Sequence, residues 1–116
     1  MRCLVTGAGM LGTALARRLR ADGHRVVVGD VREVDGAVHL DLLHSASIAP
    51  LLDGVDGVFH TAAIHGFREA RVRDFFDVNV VGTFNLLETM ATAGVRNLGL
   101  TRANVGMNAP SRDIAK

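Results

Sequence analysis

The sequence predicts an α/β fold in which a doubly wound parallel sheet of about five strands has the order 3-2-1-4-5. Short apolar, β-branched runs alternate along the chain with segments of helical periodicity. A glycine-rich turn separates the first run from the first helical segment. Right-handed crossovers between parallel strands accommodate both observations.

The first strand-helix-strand unit comes from residues 3–30. Residues 3–6 are an apolar run that leads into glycines, and residues 25–30 contain three consecutive valines, as expected of a strand covered on both faces. Between these strands, apolar side chains recur at helical spacing up to Gly23. They are Leu11, Ala14, Leu15 and Leu19.

Two more strands and a short helix are predicted next. Residues 37–40 predict a third strand and residues 57–61 a fourth. Between them, Ser47 is expected to cap a short helix, and Pro50 is tolerated there because the N–H groups of a first turn lack intrahelical acceptors. A loop is predicted from residue 62 to about residue 73.

The longest helix is predicted after this loop. Asp74 is its expected N-cap, and Gly94 is expected just beyond its C-terminus. Residues 95–101 predict a weaker fifth strand, and residues 102–116 an irregular tail. The main apolar face of the helix repeats every three or four residues, at Phe76, Val80, Thr83, Leu87 and Met90.

Composition narrows the class of protein. A chain of 116 residues with 48% hydrophobic content predicts one core. The formal charge of +1, without a basic run, argues against nucleic acid or an anionic membrane as partner. Cys3 is the only cysteine, and no apolar run is long enough to span a bilayer. We therefore expect a cytoplasmic protein.

The glycine-rich turn has the G-x-G-x-x-G spacing of Rossmann-type dinucleotide-binding proteins. Its glycines permit a tight turn, close approach to a pyrophosphate and close packing of the helix, whose N-terminal N–H groups then face the phosphates. The alternative interpretation is a turn with no ligand. The turn consists of Gly7, Ala8, Gly9, Met10, Leu11 and Gly12.

Asp30 ends the second predicted strand, near the roughly 20-residue spacing at which an acidic side chain meets the adenosine ribose. A carboxylate there repels a 2′-phosphate, which favours NAD over NADP as the cofactor. Arg32 complicates that choice because its guanidinium is within reach of a 2′-phosphate. The alternative for Asp30 is a solvated residue at a strand end.

Three further stretches resemble the extended short-chain dehydrogenase/reductase family, the NAD-dependent epimerases and dehydratases that act on nucleotide sugars. They are Asp-Leu at 41–42, Val-Phe-His-Thr-Ala-Ala at 58–63 and Asn-Val-Val-Gly-Thr-Phe-Asn-Leu-Leu-Glu at 79–88. The resemblance covers residues 2–101 and implies an NAD(P)-binding Rossmann domain at 1–101, with the C-terminal part of the family fold missing. The family turn is usually T-G-x-x-G-x-x-G, one residue longer than the turn here.

The resemblance also implies roles for individual residues. Asp41 would hydrogen-bond the adenine amino group, and Leu42 would flank the adenine. Ala62 and Ala63 would let the cofactor pass close to the fourth strand, and Asn79 would help to order the active site. A hydrogen bond to neighbouring backbone is the alternative for Asn79. The family also favours a homodimer through the helix at 74–93, with burial inside the molecule as the alternative for its remaining apolar residues.

No catalytic residue is assigned. The family uses a tyrosine, a lysine four residues later and a hydroxyl residue near the fifth strand, but this sequence contains no tyrosine. Lys116 has Arg112 at that spacing, and an arginine stays protonated near neutral pH. Thr101 is the only hydroxyl in the relevant segment. The five histidines lack metal-ligand spacing, so no metal is expected, although His60 and His65 bracket the cofactor edge.

Three hypotheses on function follow. In the first, the chain is the NAD-binding domain of an epimerase/dehydratase-like oxidoreductase and is catalytically incomplete as written. In the second, it is a non-catalytic module that senses NAD and transmits occupancy to a partner. In the third, it is a half-enzyme completed by a second chain that carries the tyrosine and lysine.

Overall fold

The computed structural model describes residues 1–62 and 71–100, and every structural statement below concerns these ranges. The strands are β1 (Arg2–Thr6), β2 (Arg25–Asp30), β3 (Ala37–His39), β4 (Gly57–His60) and β5 (Asn97–Leu100). The α-helices are α1 (Met10–Ala21), α2 (Val72–Phe76) and α3 (Thr83–Ala93). A π-helical segment, Asp77–Gly82, joins α2 to α3, and the three together are called the long helix. Two short 3-10 turns, Ser45–Ser47 and Ala49–Leu52, precede β4.

The strands form one parallel sheet in the order β3-β2-β1-β4-β5, which confirms the predicted fold class and strand order. Thr6, the last residue of β1, pairs with Gly29 on one side and with His60 on the other. Asp30 pairs with His39 of β3. The carboxyl ends of β1, β2 and β4 therefore lie side by side, which is where ligands bind in open α/β sheets.

Hydrophobic side chains pack on both faces of the sheet. Leu4 and Val5, adjacent in β1, point to opposite faces and are both fully buried. The larger cluster lies between the sheet and the long helix. Its buried members are Leu4, Leu40, Leu42, Ile48, Leu52, Val58, Leu86, Met90 and Val95.

Small residues bring α1 against the other face of the sheet. The buried residues of this helix are Gly12 and Ala16, whereas Leu11, part of the predicted apolar repeat, is 55% exposed. A Cβ at Gly12 would collide with the carbonyl oxygen of Gly7. Close packing of the helix against the turn thus requires glycine at this position.

The predicted apolar face of the long helix is largely the exposed one, so that prediction was wrong. Phe76, Val80 and Leu87 are exposed. Of the predicted face Met90 is buried, together with Leu86, which lies outside that face. Two apolar stripes run along this helix, and periodicity alone does not distinguish which of them meets the sheet. The buried stripe is the one that packs on β1 and β4.

Two predicted helix caps were also wrong. The long helix begins at Val72, and Asp74 lies inside its first turn, where the carboxylate accepts the Arg71 backbone N–H at 3.1 Å. Ser47 caps no helix, because its hydroxyl donates towards the carbonyls of Asp41 (2.8 Å) and His44 (2.9 Å). Gly94 does follow the last helical residue, with a positive φ of 78°.

β2 has its predicted limits, and the limits of the other four strands differ from the predicted ones by one or two residues. β3 and β4 each end one residue early, and β5 begins at Asn97 rather than residue 95. Such shifts are normal at element ends. Most of the predicted loop at 62–73, Thr101 and the predicted tail at 102–116 lie outside the described residues.

Two neighbouring leucines test which face of the long helix supports the fold. Leu86→Ala is expected to lower the free energy of unfolding by about 2–5 kcal/mol, since it leaves a cavity against the sheet. Leu87→Ala, whose side chain is 44% exposed, is expected to cost less than about 1 kcal/mol. Urea denaturation followed by far-UV circular dichroism measures both. Equal losses for the two variants would contradict this packing.

Candidate functional site

The turn after β1 leaves no room for a side chain at Gly7. Its φ is 93°, a region that favours glycine, and its N–H donates to the Gly29 carbonyl at 2.7 Å. A Cβ at Gly7 would lie 2.9 Å from the Ala62 Cα. The turn is therefore held in direct contact with the residues that follow β4.

Gly9 differs from Gly7, because a Cβ there would meet nothing within 4 Å. Its backbone is extended, with φ −79° and ψ −165°. The space in front of it is an open depression of about 440 Å³. That depression is lined by Ala8, Gly9, Met10, Thr13, Ala14 and Arg17.

The N-terminus of α1 opens onto the same region. The helix begins at Met10, no side chain caps it, and its first turn contains no acidic residue. N–H groups at a helix N-terminus lack intrahelical acceptors and lie at the positive end of the helix dipole. Met10 and Leu11 are both exposed. Helix N-termini of this kind bind phosphate groups in other proteins, and a side chain at Gly9 would project into the space in front of this one.

Asp30 connects this turn to the end of β2. Its Oδ2 accepts the Ala8 backbone N–H at 2.7 Å, and its Oδ1 accepts the Arg32 backbone N–H at 2.8 Å. The Arg32 guanidinium adds two bonds, from Nη2 to Oδ2 at 3.0 Å and from Nε to Oδ1 at 3.2 Å. The predicted ribose carboxylate and the predicted pyrophosphate turn are thus joined by one hydrogen bond.

The pKa of the Asp30 carboxyl is lowered to about 2. Burial acts to raise this pKa, but the hydrogen bonds from the Arg32 side chain and from the Ala8 and Arg32 backbones outweigh it, with a smaller contribution from the Arg32 charge. Asp30 is therefore ionised throughout the neutral range. The buried carboxylate is a fixed negative charge beside the turn.

Asp41 and Leu42 lie just beyond β3, and the long helix contacts Leu42. The Asn85 side-chain amide donates to the Leu42 carbonyl at 2.8 Å. A Cβ at Gly82 would lie only 3.1 Å from the Leu42 Cβ, so glycine allows this close approach. Asp41 accepts the Leu43 N–H at 3.0 Å, and its own N–H donates to the Ser47 hydroxyl at the same distance.

A buried histidine links β1, β4 and the long helix. His60, 4% exposed, contacts the Thr6 hydroxyl through Nδ1 at 2.7 Å and the Thr83 hydroxyl through Nε2 at 2.9 Å. The Thr83 hydroxyl donates to the Asn79 carbonyl, so it accepts from His60. The ring proton is thereby assigned to Nε2. His60 is neutral, and burial lowers its pKa.

The Thr6 hydroxyl extends this network to the end of β4. It accepts the backbone N–H groups of Thr61 and Ala62, each at 3.2 Å, and donates its own proton to His60. Neither Thr6 nor Thr83 was assigned a role from the sequence, and His60 drew attention only by its position. A histidine inside an apolar strand, with threonines on neighbouring elements, is the signal that was available.

The remaining predicted site residues are distributed as follows. Ala62 lies beside the glycine turn, and Asn79 lies half-buried within the π-helical segment. Short π-helical stretches often occur near functional sites. Ala63 and His65 lie outside the described residues, as do Thr101 and Lys116. Asn85, which anchors Leu42, is a residue that sequence reasoning missed.

Residues 1–62 and 71–100 contain neither a metal site nor a membrane-spanning helix. No cluster of three or more His, Cys, Asp or Glu side chains is arranged to hold a metal ion there. In the same ranges no helix is long and apolar enough to cross a membrane.

Comparison with known proteins points to one family. The profile of the NAD dependent epimerase/dehydratase family matches residues 3–105. Sterol demethylase protein B of Methylococcus capsulatus is 40% identical over an alignment that covers 93% of this chain and 37% of that protein. The chain thus spans about a third of the length of this relative.

Solved structures of a short-chain dehydrogenase/reductase superfamily protein and of an epimerase also superpose on this chain. A short-chain dehydrogenase/reductase superfamily protein from Agrobacterium tumefaciens with bound NAD superposes with a TM-score of 0.79 at 32% identity, over 90% of this chain and 33% of that one. UDP-glucose 4-epimerase of Thermus thermophilus in complex with NAD gives a TM-score of 0.72 at 31% identity, over 84% of this chain and 36% of that one.

The neutral state of His60 predicts how stability depends on pH. Because its pKa is lower in the folded chain than the ordinary value of 6.5, the unfolded chain binds its proton first as the pH falls. The free energy of unfolding should therefore decrease below about pH 6.5, by at most about 1.4 kcal/mol per pH unit from this group. Urea denaturation between pH 7.5 and 5 measures the slope. His60→Gln should reduce the slope, and an unchanged slope would contradict the assignment.

Proposed function

The chain belongs to the NAD dependent epimerase/dehydratase family, and from this premise we propose that it binds NAD across the carboxyl ends of its strands as the dinucleotide-binding part of an oxidoreductase. The observation that carries the proposal is the bond from the Ala8 N–H to the Asp30 carboxylate, 2.7 Å long. It places an open helix N-terminus beside a buried negative charge. Those are the two features that bind a pyrophosphate and an adenosine ribose.

The described residues divide the cofactor between them. The turn from Gly7 to Gly12 receives the pyrophosphate, Asp30 the adenosine ribose, and Asp41 with Leu42 the adenine. Ala62 borders the nicotinamide side, and Asn79 helps to order that end. Ala63, outside the described residues, keeps the role that the resemblance implies. The bound NAD would supply a hydride acceptor.

NAD is proposed rather than NADP. Asp30 is buried and ionised at neutral pH, since its pKa is about 2. A 2′-phosphate placed against this carboxylate would meet like charge with little water to screen it. NADP is accordingly expected to bind more weakly.

The proposal for these 116 residues is binding without turnover. Hydride transfer from an alcohol needs a group that accepts the alcohol proton, and the family tyrosine for this step has no counterpart here because the sequence has no tyrosine. The relatives' names include both a sterol demethylase protein and a UDP-glucose epimerase. The resemblance implied nucleotide sugars as substrates, but these names include a sterol-related protein as well as a nucleotide-sugar epimerase. We therefore limit the proposal to cofactor binding.

We also propose that the chain forms a homodimer and that it is located in the cytoplasm. The outer face of the long helix is a continuous apolar stripe at spacings of three and four residues. A second copy of the same helix would cover it through a two-fold contact. The stripe consists of Val72, Phe76, Val80, Phe84 and Leu87, all exposed.

Gly9→Val separates cofactor binding from folding. The extended backbone and the open space at Gly9 accommodate valine, so the thermal midpoint should stay within a few degrees of the wild type. The new side chain would project into the pyrophosphate cradle, and NAD affinity should fall at least about tenfold. Isothermal titration calorimetry with NAD measures this. Ala21→Val, at the exposed C-terminal end of α1, is the control and should bind normally.

Wild-type chain that binds neither NAD nor NADP at millimolar concentration would overturn the proposed function. Turnover of an alcohol substrate by the chain alone would contradict the proposal that these 116 residues bind NAD without turnover. Turnover only after addition of a second chain would instead favour the half-enzyme hypothesis.

Phe84→Ser tests the proposed dimer. Removing this 59% exposed ring from the middle of the stripe should shift the chain from dimer to monomer, because the contact is the same on both copies. Light scattering coupled to size-exclusion chromatography measures the mass. Leu43→Ser, at an exposed position away from the stripe, should leave the dimer intact. A monomeric wild type at the highest soluble concentration would refute the dimer.

A further inference from the structure

Thr61, the residue that follows β4, places its hydroxyl against the glycine turn. The hydroxyl donates to the Thr6 carbonyl at 2.5 Å and lies 3.4 Å from the Gly7 carbonyl oxygen. A Cβ at Gly7 would lie 2.9 Å from this hydroxyl oxygen, and a Cβ at Gly12 would lie 2.8 Å from it. The Thr61 hydroxyl therefore occupies the space that these two glycines leave open.

The backbone of Thr61 makes a second connection between the ends of β1 and β4. Its N–H donates to the Thr6 carbonyl at 3.0 Å and to the Thr6 hydroxyl at 3.2 Å. These backbone bonds remain whichever side chain stands at residue 61. The hydroxyl is thus the part of the connection that a substitution can remove while β4 stays paired with β1.

The position of the turn decides the bonds of the residues that follow it. The Gly7 N–H donates to the Gly29 carbonyl at 2.7 Å, and the Ala8 N–H donates to the Asp30 carboxylate at 2.7 Å. The helix α1 begins at Met10, only three residues beyond Gly7. A shift of the Gly7 carbonyl is therefore passed on to the N–H groups at the start of α1. Groups that bind one ligand together must keep their geometry to within about 0.5 Å.

We propose that Thr61 is a positioning residue of the dinucleotide site, whose hydroxyl fixes the glycine turn from the β4 side so that the N–H groups of the turn and of α1 face the pyrophosphate together. The inference rests on the proposed function, because it concerns the same site. Thr61 acts through the Thr6 and Gly7 carbonyls. Its oxygen carries this role, since a donating hydroxyl approaches a carbonyl oxygen to 2.5 Å, whereas a carbon atom stays at about 3.3 Å or more.

Three substitutions of Thr61 test the role of the hydroxyl in binding. Thr61→Val puts a methyl group where the hydroxyl donates and pushes the turn away, so NAD should bind at least about tenfold more weakly. Thr61→Ala removes the bond without added bulk and should weaken NAD binding about three- to tenfold. Thr61→Ser keeps the hydroxyl and should stay within about twofold of the wild type. Isothermal titration calorimetry on the full 116-residue chain gives the dissociation constants.

Amide hydrogen exchange reports the position of the turn without a ligand. The Ala8 N–H, which Asp30 holds, should exchange at least about tenfold faster in Thr61→Val and in Thr61→Ala than in the wild type. The Val5 N–H, inside β1, should keep its rate. Equal acceleration at both amides would indicate a general loss of stability and would contradict the inference.

Thr92→Val is the matched control. It removes a threonine hydroxyl that donates to the Glu88 carbonyl at 3.1 Å, at an exposed position near the end of α3. This change should alter neither the affinity for NAD nor the exchange of the Ala8 N–H.

The possible outcomes separate this inference from the proposed function. Wild type that binds NAD, with unchanged affinity in Thr61→Val and Thr61→Ala, would overturn the inference and leave the proposed function standing. An equal loss in Thr61→Ser and Thr61→Ala would do the same. If Thr61→Val does not fold, the comparison of alanine with serine at residue 61 decides. Wild type that does not bind NAD would overturn the proposed function and the binding role of Thr61, whereas the exchange rates would still show whether its hydroxyl fixes the turn.

Discussion

The close contact among the residue after β1, the start of α1 and the residues after β4 is the constraint on which the rest of the structure depends. Gly7 has no space for a Cβ against Ala62, and Gly12 has none against the Gly7 carbonyl. A helix this close to the strand end directs its free N–H groups at the edge of the sheet. Asp30 can reach the Ala8 N–H only because the turn is this tight.

Polar side chains hold the strand ends that apolar packing alone would leave loosely specified. Thr6, His60 and Thr83 form a chain of hydrogen bonds from β1 through β4 to the long helix. Asn85 extends the attachment of that helix to Leu42, at the opposite end of the predicted cofactor path. The long helix is thereby tied both to the glycine-turn side and to the adenine side of the site. Buried networks of this kind are rigid when every member is satisfied.

The sequence was sufficient for the features that depend on local chemistry. Short apolar runs predicted the five described strands, and the glycine spacing predicted the turn between β1 and α1, because strand burial and positive φ values are set within a few residues. Which face of the long helix is buried could not be predicted in the same way. That helix carries apolar residues on two sides, and only the position of β1 and β4, distant in sequence, decides that Leu86 rather than Leu87 is buried.

The site shows the same division between local and distant determinants. The spacing predicts Asp30 as a site residue, but it does not predict the two bonds from the Arg32 side chain, since these depend on where a flexible side chain rests. The sequence singles out His60 only by its position at the predicted cofactor edge, because its partners Thr6 and Thr83 lie far away along the chain. Caps at Ser47 and Asp74 failed because both side chains found other backbone partners.

The central place of β1 in the sheet also has a consequence for folding kinetics. Arg2 pairs with Arg25, and Cys3 pairs with both Val26 and Gly57, so one neighbour of β1 lies close along the chain and the other lies far along it. Contacts of such long sequence separation slow the search for the native state. A nascent chain can close the β1–β2 unit early, but one edge of β1 stays open until β4 has been made. During that interval the unpaired strand edge is open to pairing with other chains.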